Sequence, residues 1–133
     1  MARIVNPILA IAVDNQGKTA TCVVTCTATF SETEVEDMAQ GARYSLDCTL
    51  WDRDTGDWFD TQDDQLYSYE TKFFPDSTPS RSEAVRFQAA IALDLLNEDK
   101  LGPEAIYGRL KLAYVRPRTV VVRTNEVRQE FGN

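Results

Sequence analysis

The segment KTATCVVTCTATF, residues 18–30, alternates apolar and polar side chains along almost its whole length. Its even positions carry Ala, Cys, Val, Cys, Ala and Phe, whereas its odd positions carry mainly Thr. Successive side chains of a β-strand point to opposite faces of the sheet, and threonine favours strands. Because the period is two and not the roughly 3.6 of a helix, the segment is predicted to be a strand with one buried face.

The same period of two recurs in other segments, so that the sequence predicts seven strands. They cover residues 4–13, 18–30, 42–52, 65–74, 84–96, 106–116 and 118–124. Pro7 lacks a backbone N–H, which predicts a sheet-edge position for the first strand. Turn-forming sequences such as DNQG and PDSTPS separate the strands. The predicted fold class is therefore all-β, with residues 1–133 forming a single antiparallel β-sandwich domain. An immunoglobulin-like sandwich is one of the expected forms.

Two segments carry helix signals. SETEVEDMAQ opens with Ser31 and Glu34 at capping-box spacing, which predicts one short helix. Ser80 and Glu83 have the same spacing ahead of a segment rich in alanine and leucine. In that segment the apolar residues fall on odd positions, so we predict a strand over residues 84–96 and keep a helix as the alternative.

Aspartates are concentrated in LWDRDTGDWFDTQDD, residues 50–64. If each strand spans the height of the sandwich, the first, third and fifth loops share one end, and three acidic loops converge there. Hard cations such as Ca²⁺ bind about six to eight oxygen ligands, which clustered carboxylates and carbonyls supply. The alternative is a solvated loop that discourages edge pairing. The predicted metal ligands are Asp14, Asp52, Asp54, Asp57 and Asp99.

The segment LWDRDTGD and the order of the acidic loops resemble C2 domains, which are β-sandwiches that bind calcium through acidic loops at one end. The resemblance implies a C2-like sandwich and a calcium-dependent binding function, with Asp52, Asp54 and Asp57 as the ligands carried over. The sequence departs from that family in two respects. Seven strands are predicted where C2 domains have eight, and no clearly basic strand is present to contact lipid headgroups.

Three aromatic residues in or beside the acidic loop are predicted to bind a partner: Trp51, Trp58 and Phe59. Trp51 falls on the outward parity of its strand. Exposed tryptophans beside polar groups suit protein or carbohydrate contacts. The alternative is that Trp58 and Phe59 hold a long loop against the sandwich.

Several classes of function are excluded by composition. The chain has no histidine, which removes Ser-His-Asp and Cys-His catalysis. It also has no glycine-rich phosphate loop, so no enzymatic function is predicted, and glycoside hydrolysis by paired carboxylates is a distant alternative. A net charge of −7 argues against nucleic-acid binding. No apolar run approaches the roughly 20 residues that span a bilayer, so no membrane span is expected.

The chain has three cysteines, an odd number, so that at least one is unpaired. All three fall on faces predicted to be buried, where they are expected to act as small apolar side chains. Unpaired thiols and the lack of a clear signal peptide predict a cytoplasmic protein or a component of a soluble particle.

These exclusions favour a non-enzymatic interaction or self-assembly module, acting as a structural subunit or a binding protein with no required cofactor. Edge strands near both ends of the chain are expected to pair with a strand of a neighbouring molecule. The expected partner is a second copy, which would give a homo-oligomer, or another protein. The alternative is a calcium-dependent binding domain.

Overall fold

The computed structural model describes residues 1–53, 64–96, 104–115 and 119–131 and confirms an all-β sandwich. The described residues contain eight strands and two helices. The strands are β1 (Arg3–Asp14), β2 (Thr19–Thr29), β3 (Tyr44–Asp52), β4 (Asp64–Ser68), β5 (Lys72–Phe74), β6 (Ser82–Ala92), β7 (Glu104–Tyr114) and β8 (Thr119–Gln129), and the helices are α1 (Glu32–Ala39) and α2 (Leu93–Leu96).

The strands form two antiparallel sheets. Sheet A has the order β1-β2-β6, and sheet B has the order β4-β3-β7-β8, with β5 also paired to β3. The prediction of one strand over 65–74 is wrong, because residues 69–71 interrupt the regular ladder and divide the segment into β4 and β5, which both pair with β3. At that break the Tyr69 N–H donates to the Cys48 carbonyl over 2.9 Å, and the Thr71 hydroxyl donates to the Asp47 carboxylate.

The alternation in β2 is confirmed. Its even-numbered residues are buried, and Cys22 and Val24 are completely so, whereas the intervening residues are only partly buried. They share one core with inward residues of sheet B such as Leu46 and Leu110. Removing these apolar faces from water is what holds the two sheets together.

The segment over residues 84–96, for which a helix is the alternative prediction, is a strand for most of its length. β6 covers Ser82–Ala92, and the chain then turns once as α2. The strand prediction for 84–96 is therefore confirmed up to residue 92 and wrong for the last four positions, Leu93–Leu96. No capping box forms at its start, because the Ser80 hydroxyl donates to the Ser82 carbonyl over 3.0 Å and accepts from the Ser82 N–H over 3.3 Å.

The short helix predicted after β2 is α1, and its capping box is confirmed. The Ser31 hydroxyl accepts from the Glu34 N–H over 3.1 Å, and the Glu34 carboxylate accepts from the Ser31 N–H over 2.7 Å. Glu34 also accepts from the Tyr44 hydroxyl and lies 3.3 Å from the Met1 amine. Burial alone would raise the pKa of Glu34, but these hydrogen bonds outweigh burial and lower it. The helix thus ties the amino-terminal amine to β3.

Aromatic rings show which ends of the two sheets coincide. Phe30, directly after β2, has its ring centroid 5.0 Å from that of Tyr44 at the start of β3 and 5.7 Å from that of Phe74. The last residues of β1 and β3 therefore lie together at the opposite end of the sandwich. That end carries Asp14 and Asp52, as the loop order predicts.

The final strand is longer than predicted, since β8 continues to Gln129 and not to residue 124. Its pairing with β7 shifts register between Tyr107 and Arg109 and then resumes. Within the described ranges, neither α1, with eight residues, nor α2, with four, is long and apolar enough to cross a membrane.

Candidate functional site

The predicted acidic end is only partly within the described residues. Asp52 lies opposite Asp64 in the register of β3 and β4, and Asp14 ends β1 at the same end of the sandwich. Two aspartates predicted in the long loop, Asp54 and Asp57, lie outside the described residues, as does Asp99.

Asp14 has a local role. Its Oδ1 atom accepts from the Gln16 and Gly17 N–H groups, each over 3.1 Å, and so closes the turn between β1 and β2. Asp and Asn side chains commonly stabilise turns in this way. The carboxylate is exposed, so its remaining oxygen stays accessible from solvent.

The part of the chain that the structure describes contains no group of three or more side chains placed to hold a metal ion. Calcium binding at the acidic end stays a prediction from the sequence. A calcium titration followed by thermal melting tests it, because an ion held by the folded protein alone raises the melting temperature.

Trp51 is half-buried on the outer face of sheet B. Its Nε1–H donates to the Thr49 hydroxyl over 2.8 Å, and the Arg109 guanidinium lies 5.9 Å from the ring centroid. The arginine thus covers part of the ring that was predicted to bind a partner. The two other predicted aromatic residues, Trp58 and Phe59, lie outside the described residues.

The cysteines Cys22, Cys26 and Cys48 are free and buried. Burial raises the pKa of Cys22 and of Cys26 to about 11 and also raises the pKa of Cys48. At neutral pH these thiols are protonated, and a thiol is a far weaker nucleophile than a thiolate. They serve as small apolar side chains in the core, as expected.

One side of the sandwich is closed by an asparagine. The Asn125 Oδ1 atom accepts from the Leu9 N–H over 2.7 Å, and Nδ2 donates to the Leu9 carbonyl over 3.1 Å. A primary amide presents an acceptor and a donor side by side, as a neighbouring strand does. The edge of β1 therefore meets β8 at this point.

A bulge in sheet B directs Asn125 toward β1. The Gly108 N–H donates to the Thr124 hydroxyl, which in turn donates to the Asn125 carbonyl over 2.7 Å. A β-carbon at position 108 would lie 2.9 Å from the Thr124 Cγ2 atom, so only glycine fits without a shift. Bulges of this kind redirect side chains at sheet edges.

On the other side of sheet A, the backbone groups of β6 point alternately toward its partner β2 and toward an open edge of the sheet. The Phe30 N–H donates to the Arg81 carbonyl over 2.9 Å, and the Leu93 N–H donates to the Lys18 carbonyl over 3.0 Å. Since antiparallel pairs alternate, the odd-numbered residues of β6 direct both backbone groups toward β2. The even-numbered residues direct theirs away from it.

Five even-numbered residues, at 84, 86, 88, 90 and 92, therefore face this edge with their backbone groups. In the described ranges, no strand pairs with that side of β6. Ser82 differs, because both of its backbone groups are bonded to the Ser80 side chain. We call the stretch from Ala84 to Ala92 the open edge.

No protein-family model matches the chain. No curated protein matches it either.

Sequence reasoning missed both edge features. The glycine within IYGRL carried a signal, because an isolated glycine in a strand indicates a bulge or a close approach of another group. Nothing in the sequence near Asn125 pointed to Leu9, since the two residues are separated by 116 positions. The open edge of β6 could not be read from its sequence either, because any strand has two edges.

Proposed function

We propose that the protein is a non-enzymatic self-assembly module, in which β6 pairs with β6 of a second copy across the open edge. The observation that carries the proposal is the open edge itself, along a strand of 11 residues. A long edge strand with unpaired backbone groups recruits another strand by forming main-chain hydrogen bonds.

The residues of β6 favour an antiparallel pair with a two-fold axis at Phe87. In this register Arg86 lies opposite Gln88 of the second copy, and Ala84 lies opposite Ala90. An axis at Arg86 would place two arginines directly opposite each other, which destabilises a strand pair. The Phe87 register also gives the longest overlap of β6 with itself.

The other edges are less suited to this role. β1 meets β8 at the bond between Leu9 and Asn125, so the strands near the two ends of the chain block each other there. β4 and β5 are short, at five and three residues, and residues 69–71 between them interrupt the ladder. Short and interrupted edge strands are a common defence against pairing.

Two adjacent alanines give a matched test. Ala90 directs its N–H to the open edge, so Ala90→Pro should abolish the strand pair and leave the bonds to β2 intact. Its stability should stay within about 1 kcal/mol of that of the wild type. Ala89 directs its N–H to β2, so Ala89→Pro should instead lose about 3 kcal/mol of unfolding free energy.

Native mass spectrometry and urea unfolding separate the two effects. The proposal requires that Ala90→Pro lowers the oligomeric state of the folded protein. An Ala90→Pro variant with the oligomeric state of the wild type would contradict it, as would a wild type that stays monomeric at high concentration.

A further inference from the structure

From the residues of sheet A we infer a second contact between copies, formed by its outer face. This face, which we call the outer face of sheet A, carries the side chains that point away from the core. They are Arg3, Val5, Ile8, Ala10, Ala12 and Asp14 of β1, the odd-numbered residues of β2 from Thr19 to Thr29, and the even-numbered residues of β6. We propose that it packs on the same face of a second copy about a two-fold axis that crosses the strands at the level of Val24.

The outer face is self-complementary about this axis. On the central strand, Val23 faces Thr25 of the second copy, and the remaining pairs are threonines. On β1, the large side chain of Ile8, which is 53% exposed, faces the small Ala10. This match follows from the register, in which Ile8, Thr25 and Arg86 form one row across the sheet and Ala10, Val23 and Gln88 form the next.

Charges agree with the same axis. Arg3 and Asp14 are both exposed and lie at opposite ends of β1. The axis therefore places Arg3 of each copy opposite Asp14 of the other copy. At the centre of β6, the axis places Arg86 opposite Gln88 of the second copy; within one chain, the Arg86 guanidinium donates to the Gln88 side-chain oxygen over 2.9 Å. Complementary charges at the rim of an interface steer orientation more than they add affinity.

A two-fold axis parallel to the strands gives a poorer match. It would stack β1 on β6, so that the exposed Ile8 meets the charged Arg86. It would also place Arg3 over Ser82 and Asp14 over Ala92, and neither charge would meet an opposite one. The crossing axis is therefore the one that the side chains select.

The size of the face suits a reversible contact. Strands spaced about 4.8 Å apart with a rise of about 3.3 Å per residue give three strands a footprint of roughly 500 Å² per copy. The two copies together bury about 1,000 Å², the lower limit for a specific interface. Association through this face should therefore depend on protein concentration.

The two contacts close an assembly of four chains. The β6 pair has its two-fold axis at Phe87, and Phe87 lies opposite Val24 in the register of sheet A. The two axes are perpendicular and cross at the same level, which is the arrangement of a closed tetramer with three two-fold axes. This closure rests on the proposed function, whereas the face contact stands without it.

Ile8→Asp tests the face contact. It places a carboxylate against apolar groups at two symmetric positions and should weaken the contact by about 100-fold. Ile8 is exposed, so the fold should persist, and Ala10→Glu on the same face is a second variant with the same expected effect. Val121→Asp, at a 43% exposed residue outside sheet A, is the control and should change nothing.

The oligomeric state decides the outcome. Native mass spectrometry should find four chains in the wild type, two in Ile8→Asp, two in Ala90→Pro and one in the double variant. If Ile8→Asp and Ala10→Glu keep the wild-type mass while Ala90→Pro lowers it, the face contact is wrong and the proposed function stands. If Ile8→Asp gives monomers and Ala90→Pro keeps the wild-type mass, the tetramer and the edge pair are wrong and the face contact stands.

The end charges test the orientation of the axis. Arg3→Glu places two carboxylates at each end of the face and should weaken the contact by about 3- to 10-fold at low salt. Adding Asp14→Asn keeps the Oδ1 acceptor of the turn but removes the repulsion, so the double variant should recover most of the loss. Failure of Asp14→Asn to restore any affinity would contradict the crossing axis.

Discussion

The side of the sandwich where β1 meets β8 differs from the side bounded by β6, although both edges belong to the same three-stranded sheet. β1 has 12 residues and β6 has 11, so length does not separate them. At β1, Asn125 satisfies both backbone groups of Leu9. At β6, the outward-facing backbone groups of the even-numbered residues from Ala84 to Ala92 have no strand to pair with among the described residues. One side chain therefore bridges β1 and β8 at Leu9, and β6 has no counterpart to this bridge among the described residues.

The closed side depends on features that work only together. Gly108 lets the Thr124 side chain approach, the bulge shifts the register, and Asn125 then reaches β1. On its own side, β1 has a register shift between Val5 and Ile8, where Asn6 takes a positive φ of 52°. Asparagine tolerates this backbone conformation better than most residues do. On the open side, β6 pairs with β2 without a register shift along its whole length.

The largest expected effect on the free energy of unfolding is that of Gly108→Ala, which disrupts the bulge on the closed side. The added β-carbon would lie 2.9 Å from Thr124 Cγ2 and 3.4 Å from Val24 Cγ2. We expect a loss of about 3 kcal/mol in the free energy of unfolding, as for an overpacked core. Urea denaturation measures it. Thr124→Ser removes the crowded methyl group, so the double variant should be more stable than Gly108→Ala alone, and the clash explanation fails if it is not.

Asn125→Ala should have the next largest effect, because it turns the closed edge into an open one. Leu9 is 2% exposed, so its backbone groups lose their partners without ready access to water. We expect a loss of about 2 kcal/mol. Hydrogen exchange at the Leu9 amide should be slow in the wild type and fast in the variant. Asn125→Asp keeps an acceptor for the Leu9 N–H but no donor for its carbonyl, and should lie between the two; equal exchange in all three proteins would contradict the closure by Asn125.

The smallest effect near neutral pH is that of the buried thiols, because they change the free energy of unfolding only at alkaline pH. This pH dependence belongs to the core and not to the edges. The pKa of Cys22 and of Cys26 is raised by burial from 9.0 to about 11. Between these values the unfolded chain loses the thiol protons first, so stability is complete below about pH 9 and falls as the pH rises toward 11. Urea denaturation with a reducing agent should show this fall, and Cys22→Ala should reduce its slope. The backbone and amide groups at both edges do not titrate there, so the deficit of Asn125→Ala should be the same at pH 8 and pH 10.

Much of the sandwich could be read from local patterns. The alternation in β2 correctly identified Cys22 and Val24 as core residues, and the odd positions of β6 outweighed its helical composition. The break between β4 and β5 was missed, because it depends on the bonds that Tyr69 and Thr71 make to β3. The helical turn after Ala92 was missed for a similar reason, since Leu93 and Leu96 reach the core only where the strand ends.

The candidate surfaces were less readable than the fold. The acidic loops are conspicuous because their composition is local and visible in the sequence, yet Asp14, at the start of the first of these loops, closes a turn. The open edge and the outer face of sheet A have ordinary compositions of alanine, threonine and a few charges. Their meaning comes from register, which places Arg3 and Asp14, or Ile8 and Ala10, symmetrically about one level of the sheet.

The sequence by itself determined that the chain forms a sandwich and, in regular strands such as β2, which side chains enter its core. It could do so because strand side chains alternate by local geometry, whatever the rest of the chain does. Only the tertiary structure decided which edge is closed and which is open. That choice depends on Asn125 reaching Leu9 across 116 positions, through a bulge that Gly108 permits, and no local pattern encodes a contact at such a distance.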